Sequence, residues 1–299
     1  MRLFRHKETA DTSAKPGVGS GGDARVLLDR TAATVTVVVD GGPFGWDALD
    51  WAAAEAAVRG RALRIVHVVT WPWSLDPFGN LTVGVADRHV RQTAQSVLDT
   101  AVERARSVAP SLQITAQLQV ADQGTSVRPQ GPDDLIVVGR QLRVARLATA
   151  SARRFALRSS VPVTVVRLVD AESHGPSTGR VLVGLDGETG TARILDFAFR
   201  AARRRGIGLT VLHASGIRDQ TATDAVANAL RLWRDAFPDV NVQVKVVPGP
   251  PAQALVDESS GAALVVLGSP KHGRLHQALF GSVAGAVLRS AGSPVVIVH

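Results

Sequence analysis

Apolar and polar positions along the chain fall into two patterns that recur in the same order. A β-branched run at residues 35–39 (VTVVV) opens the first, and residues 181–185 (VLVGL) open the second. Runs without polar alternation predict strands buried on both faces of a parallel sheet. A stretch with helical periodicity follows each. In the second, Leu195, Ala198, Phe199 and Ala202 fall on one face and Arg200, Arg203 and Arg204 on the other. Gly60 and Gly206 end these helices as C-caps. A second strand follows, RIVHVV (64–69) or LTVLHA (209–214). A second helix is predicted from Val90, Ala94, Val97, Leu98, Ala101 and Ala105, and in the other copy from Ala225, Ala229, Leu232, Trp233 and Ala236. Ile114, Ala116, Leu118 and Val120, and then Val240, Val242, Val244 and Val246, alternate with polar residues as a half-exposed edge strand does. A fourth buried run ends at Gly139 or Gly268, and a last helix leads to a Pro-Val-rich fifth strand.

The recurrence is a repeat in sequence. Residues 36–68 and 182–214 align without gaps at an offset of 146, so Asp40 meets Asp186, Gly60 meets Gly206 and His67 meets His213. The offset falls to 129 at LIVVG (135–139) against LVVLG (264–268), and becomes 132 at Pro162 and Pro294. Strands alternating with helices mean parallel sheets with right-handed crossovers. The predicted fold is α/β: two tandem, doubly wound domains, each with a five-stranded parallel sheet. Their boundaries are placed at 31–169 and 179–299, with a linker at 170–178 (DAESHGPST) and a disordered basic arm at 1–30. In the first domain the helix between strands three and four gives way to a Gly/Pro/Asp stretch, 122–134.

Composition narrows the chemistry. With no cysteine among 299 residues, disulfides and thiolate sites are excluded. No apolar run approaches the roughly 18 residues of a membrane span, and the N-terminus lacks the apolar core of a secretory signal. A cytoplasmic protein with no membrane partner is expected. The net charge is +8, and only Lys7, Lys15, Lys245 and Lys271 of the 34 basic residues are lysines. That balance permits weak attraction to polyanions. Without an aromatic-and-basic strand or zinc-finger spacing, it argues for a solvated surface and against nucleic acid.

The segment from Gly268 through Lys271 and His272 to Gly281 and Ser282 follows a buried strand and precedes a helix. A helix N-terminus offers free N–H groups and partial positive charge to an anion. Gly268 and Gly281 allow close backbone approach, Ser282 can cap the helix or donate to a phosphate oxygen, and Lys271 adds charge. An ordinary strand-to-helix connection is the alternative. In the first domain, Gly139 and Ser151 persist but Ala150 stands in place of Gly281. Arg140, Arg143 and Arg146 there form either an anion patch or a solvated face. Gly17–Gly22 satisfies G-x-G-x-x-G but lacks the strand and helix that would give it meaning. His67 and His213 read as satisfied strand histidines, and Trp71 and Trp73 as loop packing. No acid–base pair or activated nucleophile emerges, so no catalytic residue is assigned.

That segment resembles the phosphate loop of the universal stress protein family, G-x2-G-x9-G-[S/T]. Gly268, Gly281 and Ser282 fall on three of its four positions, and Lys271 replaces the second glycine. The resemblance spans nearly all of residues 34–299. It implies an adenine-nucleotide α-hydrolase-like fold and a regulatory role in stress response. It implies ATP or another adenine nucleotide as cofactor, with Mg accompanying it, and Asp186 after the first strand as a further binding residue. Asp186 and Gly268 would then face one crevice, at the switch point between neighbouring first and fourth strands. For Asp186, and still more for Asp40, a turn-opening, helix-capping role is the alternative. The family pattern also implies that fifth strands pair, giving a pseudo-dimer of the two domains and a homodimer as a further expectation. An interaction scaffold without nucleotide is the rival reading, and a slow nucleotide hydrolase is the weaker third.

Overall fold

The run Val35–Val39 forms strand β1 with all five residues buried, and Leu135–Gly139 forms β6 in the same way. Both come from a computed structural model, which describes residues 33–70, 74–75, 81–82, 86–121, 127, 129–140, 156–157, 159–167, 179–185, 191–215, 220–269 and 276–299. The expected arm at 1–30 and linker at 170–178 lie outside the described residues, as do Gly17–Gly22, Trp71 and Trp73.

The elements follow the predicted order. The first half holds β1, α1 (Pro43–Arg59), β2 (Leu63–Thr70), β3 (Ser74–Leu75), β4 (Leu81–Thr82), α2 (Ala86–Val108), β5 (Ile114–Ala121), β6 and β7 (Val163–Val166). The second holds β8 (Arg180–Gly184), α3 (Thr191–Arg205), β9 (Leu209–Ser215), α4 (Gln220–Ala236), β10 (Val242–Pro248), α5 (Pro251–Ser259), β11 (Ala262–Gly268), α6 (His276–Ser290) and β12 (Val295–Val298). Ten strands form one sheet in the order β10-β9-β8-β11-β12-β7-β6-β1-β2-β5, while β3 and β4 pair separately. Within each half all pairings are parallel, and from edge to seam the order is third, second, first, fourth, fifth. The fold is the doubly wound α/β architecture predicted. The edge strands β5 and β10 are the partly exposed ones, as their alternation requires.

Two apolar layers flank the sheet. One packs Val35, Val37 and Val39 with Ala48, Leu49 and Ala52 of α1 and, in the other half, with Leu195, Phe199 and Leu230 of α3 and α4. The other packs Val38, Val138 and Val265 with Leu255 of α5 and Val287 of α6. Each fully buried Leu or Phe contributes about 1.5–3 kcal/mol. Gly42 is the N-cap of α1 with Pro43 following it, and Gly60 closes the helix at φ +61°. Gly206 repeats that at φ +65°. The α4 periodicity is corrected at two positions. Leu232 is 77% exposed and Ala236 is exposed, whereas Val226, Leu230 and Phe237 are buried. The core-facing stripe is therefore Val226, Leu230, Trp233 and Phe237, and Leu232 falls about 100° away from it. Phe199, Trp233 and Phe237 stack there with centroids 5.4–6.1 Å apart. Among the described residues no helix is long and apolar enough to cross a membrane.

The halves meet where β7 and β12 pair antiparallel, Val163 with Ile297, Thr164 with Val296 and Val165 with Val295. Over this seam, α1 meets α3 around a buried carboxylate. Glu55, 3% exposed, accepts from Arg59 Nε at 2.5 Å and from Arg205 Nη2. Arg59 and Arg205 are repeat equivalents, whereas the equivalent of Glu55 is Ala201. One anion thus serves both arginines at the seam.

Candidate functional site

The carboxyl ends of β8 and β11 lie side by side, because the chain crosses to opposite directions after them. β1 and β6 do the same in the first half. This is where a doubly wound sheet opens a crevice. Gly268 closes β11 at that point, and the N–H of Ser269 donates to the Val298 carbonyl at 2.7 Å. The first half repeats this bond, with the N–H of Arg140 on the Val166 carbonyl at 2.8 Å.

The two glycines differ in what lies over them. A Cβ on Gly268 would sit 2.6 Å from Ile194 Cδ1, the free end of an α3 side chain. A Cβ on Gly139 would sit 2.4 Å from the carbonyl oxygen of Phe44, which is backbone of α1. Both glycines are needed for helix–strand approach. In the first half the space is closed by main chain, and in the second by a side-chain end that can rotate.

Of the predicted binding residues, Asp186 and Lys271 lie outside the described residues, as do His272, Ala150, Ser151, Arg143 and Arg146. Gly281 and Ser282 lie inside α6, which begins at His276. They occupy its second turn, so of the two roles open to Ser282 the helix-capping one is not taken. The physical reason is local: His276-Gln-Ala-Leu-Phe continues the helix N-terminally, and an internal glycine costs it only about 1 kcal/mol.

Asp40 does what a turn-opening aspartate does. Its Oδ1 accepts the Gly42 N–H at 3.0 Å, and Gly41 takes φ +76°. The histidines are tied to the sheet. Nδ1 of His67 donates to the Val39 carbonyl at 2.8 Å, and Nδ1 of His213 donates to the Leu185 carbonyl at 2.9 Å. Each ring is a buried strut between its first and second strands.

Of Arg140, Arg143 and Arg146, Arg140 alone lies within the described residues, and it reaches across to the other half. Its Nη1 donates to the Arg289 carbonyl at 3.3 Å, at the far end of α6. Arg167 joins it there, donating to the carbonyls of Arg289 at 3.3 Å and Ala291 at 2.8 Å. Burial, and then the charge of Arg140, lower the pKa of Arg167. Residue spacing along one strand end could not show that these partners come from the other half. On α1, burial and the neighbouring Asp50 hold the Asp47 carboxyl above the usual range, with Arg104 opposing them. Arg104 instead forms two 2.7 Å bonds to Asp50. Among the described residues no group of three His, Asp or Glu converges to hold a metal ion.

Known proteins align with this architecture. The sequence profile of the universal stress protein family matches residues 216–299. A universal stress protein of Mycobacterium tuberculosis is 32% identical over 289 residues, covering 88% of this chain and 96% of that protein. One from Mycolicibacterium smegmatis is 29% identical over 299 residues, covering 92% and 99%. The crystal structure of a universal stress protein from Archaeoglobus fulgidus superposes with a TM-score of 0.63 at 17% identity, over 90% of this chain and 97% of that one. At 32% identity to the Mycobacterium tuberculosis relative across nearly the whole of both chains, the chain belongs to the universal stress protein family.

Proposed function

We propose that this stress protein is a regulator whose second half, 179–299, binds ATP or a related adenine nucleotide at the carboxyl ends of β8 and β11. Binding biases its conformation or assembly, and no reaction is catalysed. The observation that carries the reading is the unequal cover of the two switch-point glycines. Gly268 stands under a rotatable isoleucine and leads into α6, whereas Gly139 stands under backbone. The residues proposed to hold the ligand are Asp186, Gly268, Lys271, Gly281 and Ser282. The phosphates face the start of α6, where unpaired N–H groups favour an anion. Mg is proposed only as the counter-ion of those phosphates. The first half, 31–169, is the degenerate partner in a pseudo-dimer, and the setting is cytoplasmic.

Ile194 also favours a second reading. It fills the space over Gly268, as a scaffold that pairs with other copies and takes no nucleotide would allow. Calorimetry with ATP and AMP on the full chain separates the two, and no heat at millimolar nucleotide sinks the first. If ATP binds, Gly281→Val is expected to abolish binding and Ala150→Val to leave it intact; equal effects refute the assignment to the second half. Phosphate release in a single turnover tests the hydrolase alternative.

A further inference from the structure

Helix α6 joins the candidate nucleotide loop to the seam. Its start follows that loop, and its last carbonyls, like those of any α-helix, lack intrahelical partners. Those carbonyls are met by the first half. Arg140 and Arg167 donate to Arg289, and Arg167 also to Ala291. Two guanidiniums held together repel, and the cost is offset because a helix C-terminus carries partial negative charge as well as free acceptors. Arg193, another charged group near the seam, donates to the main-chain oxygen of His299 and is not in the pair.

The exchange runs both ways. His299 is the repeat equivalent of Arg167. Its Nε2 donates to the Ala156 carbonyl at 2.9 Å, in the last helical segment of the first half. Each half therefore places the residue after its fifth strand on the end of the other half's last helix. Arg140 goes further. It follows Gly139, where its equivalent is Ser269. The residue at the mouth of the first half's own crevice is turned across the seam.

We propose that Arg140 and Arg167 are positioning residues for the second half's nucleotide site, setting its affinity from the first half by fixing the far end of α6. This rests on the nucleotide reading above. A helix of 15 residues is a rod of roughly 22 Å. Tilt or fraying at its seam end moves or loosens the end that faces the phosphates. The loss of the first half's own loop is thereby given a use: its arginine serves the loop that remains.

The test uses the full chain carrying Arg140→Gln, Arg167→Gln, both together, and the Lys versions of each. Two quantities are measured: amide hydrogen exchange across 276–290 without nucleotide, and ATP affinity by calorimetry. In the double Gln variant α6 amides are expected to exchange about tenfold faster and ATP to bind about tenfold more weakly. The amides of α3 should be unchanged, and the Lys versions should recover part of both effects. Unchanged exchange in α6 overturns the proposal, as does equal acceleration in α3 and α6, which would mark general loosening. Faster α6 exchange with unaltered ATP affinity also overturns it. If the wild type takes no ATP, the nucleotide reading fails by that result, and the exchange data still decide whether the arginines hold α6. Should the double variant not fold, Arg140→Gln alone carries the test, since its bond to Arg289 is exposed.

Discussion

Replacing Glu55 by Gln keeps the side-chain volume at the seam and removes its charge. Glu55 is 3% exposed, while the side chains of Arg59 and Arg205 are 6% and 12% exposed. The carboxylate is thus the anion for two desolvated cations, one from each half. Arg59 has a second partner in the Phe197 ring, 4.9 Å from its Cζ, whereas Arg205, among the described residues, donates besides only to the Ala201 carbonyl. Removing one member of a buried pair costs about 3–5 kcal/mol, chiefly because a buried charge is stranded. For a chain this long each kcal/mol lowers the melting temperature by roughly 2–4 °C, so a fall of roughly 10 °C is expected. Urea unfolding followed by circular dichroism measures the same quantity. The decisive variant is Glu55→Gln with Arg205→Met. If stranding is the cause, removing Arg205 relieves it, and the double variant should be more stable than Glu55→Gln by at least about 1 kcal/mol. Glu55→Gln costing under about 1 kcal/mol, or simple addition of the two single effects, would refute the reasoning.

Other outcomes follow from single contacts. Gly139→Ala should cost about 1–3 kcal/mol or more in urea unfolding, since Phe44 backbone cannot yield; Gly268→Ala should cost less, because Ile194 Cδ1 can rotate away, and the reverse order would contradict the geometry. Ile194→Ala should raise ATP affinity several-fold in calorimetry by clearing Gly268, if the nucleotide site is where it is placed. Gly206→Ala meets no neighbour but must hold φ +65°, and about 1 kcal/mol should be lost. Burial lowers the pKa of His299, with its bond to Ala156 opposing. A histidine depressed in the fold contributes stability in full above its ordinary value of about 6.5 and loses it as pH falls through that value toward the folded one. Wild type should therefore lose more stability than His299→Gln on acidification from pH 7.5, as paired melting curves would show.

Much of the fold is legible because burial leaves a periodic trace. β1 and β6 match their predicted bounds, and Gly60 and Gly206 stop α1 and α3 as read. The edge strands are visible because one face of each meets water. Leu232 was misplaced because apolarity at one helical position does not fix the helix phase; the buried Val226, Leu230 and Phe237 do. Glu55 left no trace, because its equivalent is Ala201 and its partner lies 150 residues away. The candidate site was legible only as spacing. Glycine at Gly139 and Gly268 reports that something comes close, but residue type does not distinguish a ligand from Phe44 backbone or an isoleucine methyl. The helix start expected near Gly281 lies five residues earlier, at His276, because helix formers before Gly281 carry the helix through.

These particulars bear on how a duplicated chain becomes unequal. Both halves keep the strand order, the histidine strut and the glycine at the fourth strand's end, since each is required for the sheet and its helices to pack. What differs lies just beyond those shared parts. Phe44 backbone covers Gly139, and Arg140 reaches out of its own half to α6. Glu55 has no copy, so both seam arginines depend on the first half. Arg140 and Glu55 are contributions of the first half at the seam, and His299 on the Ala156 carbonyl is one in return. The first half thus supplies an anion to Arg205 and two cations to the end of α6, contacts between the halves that neither half could form alone.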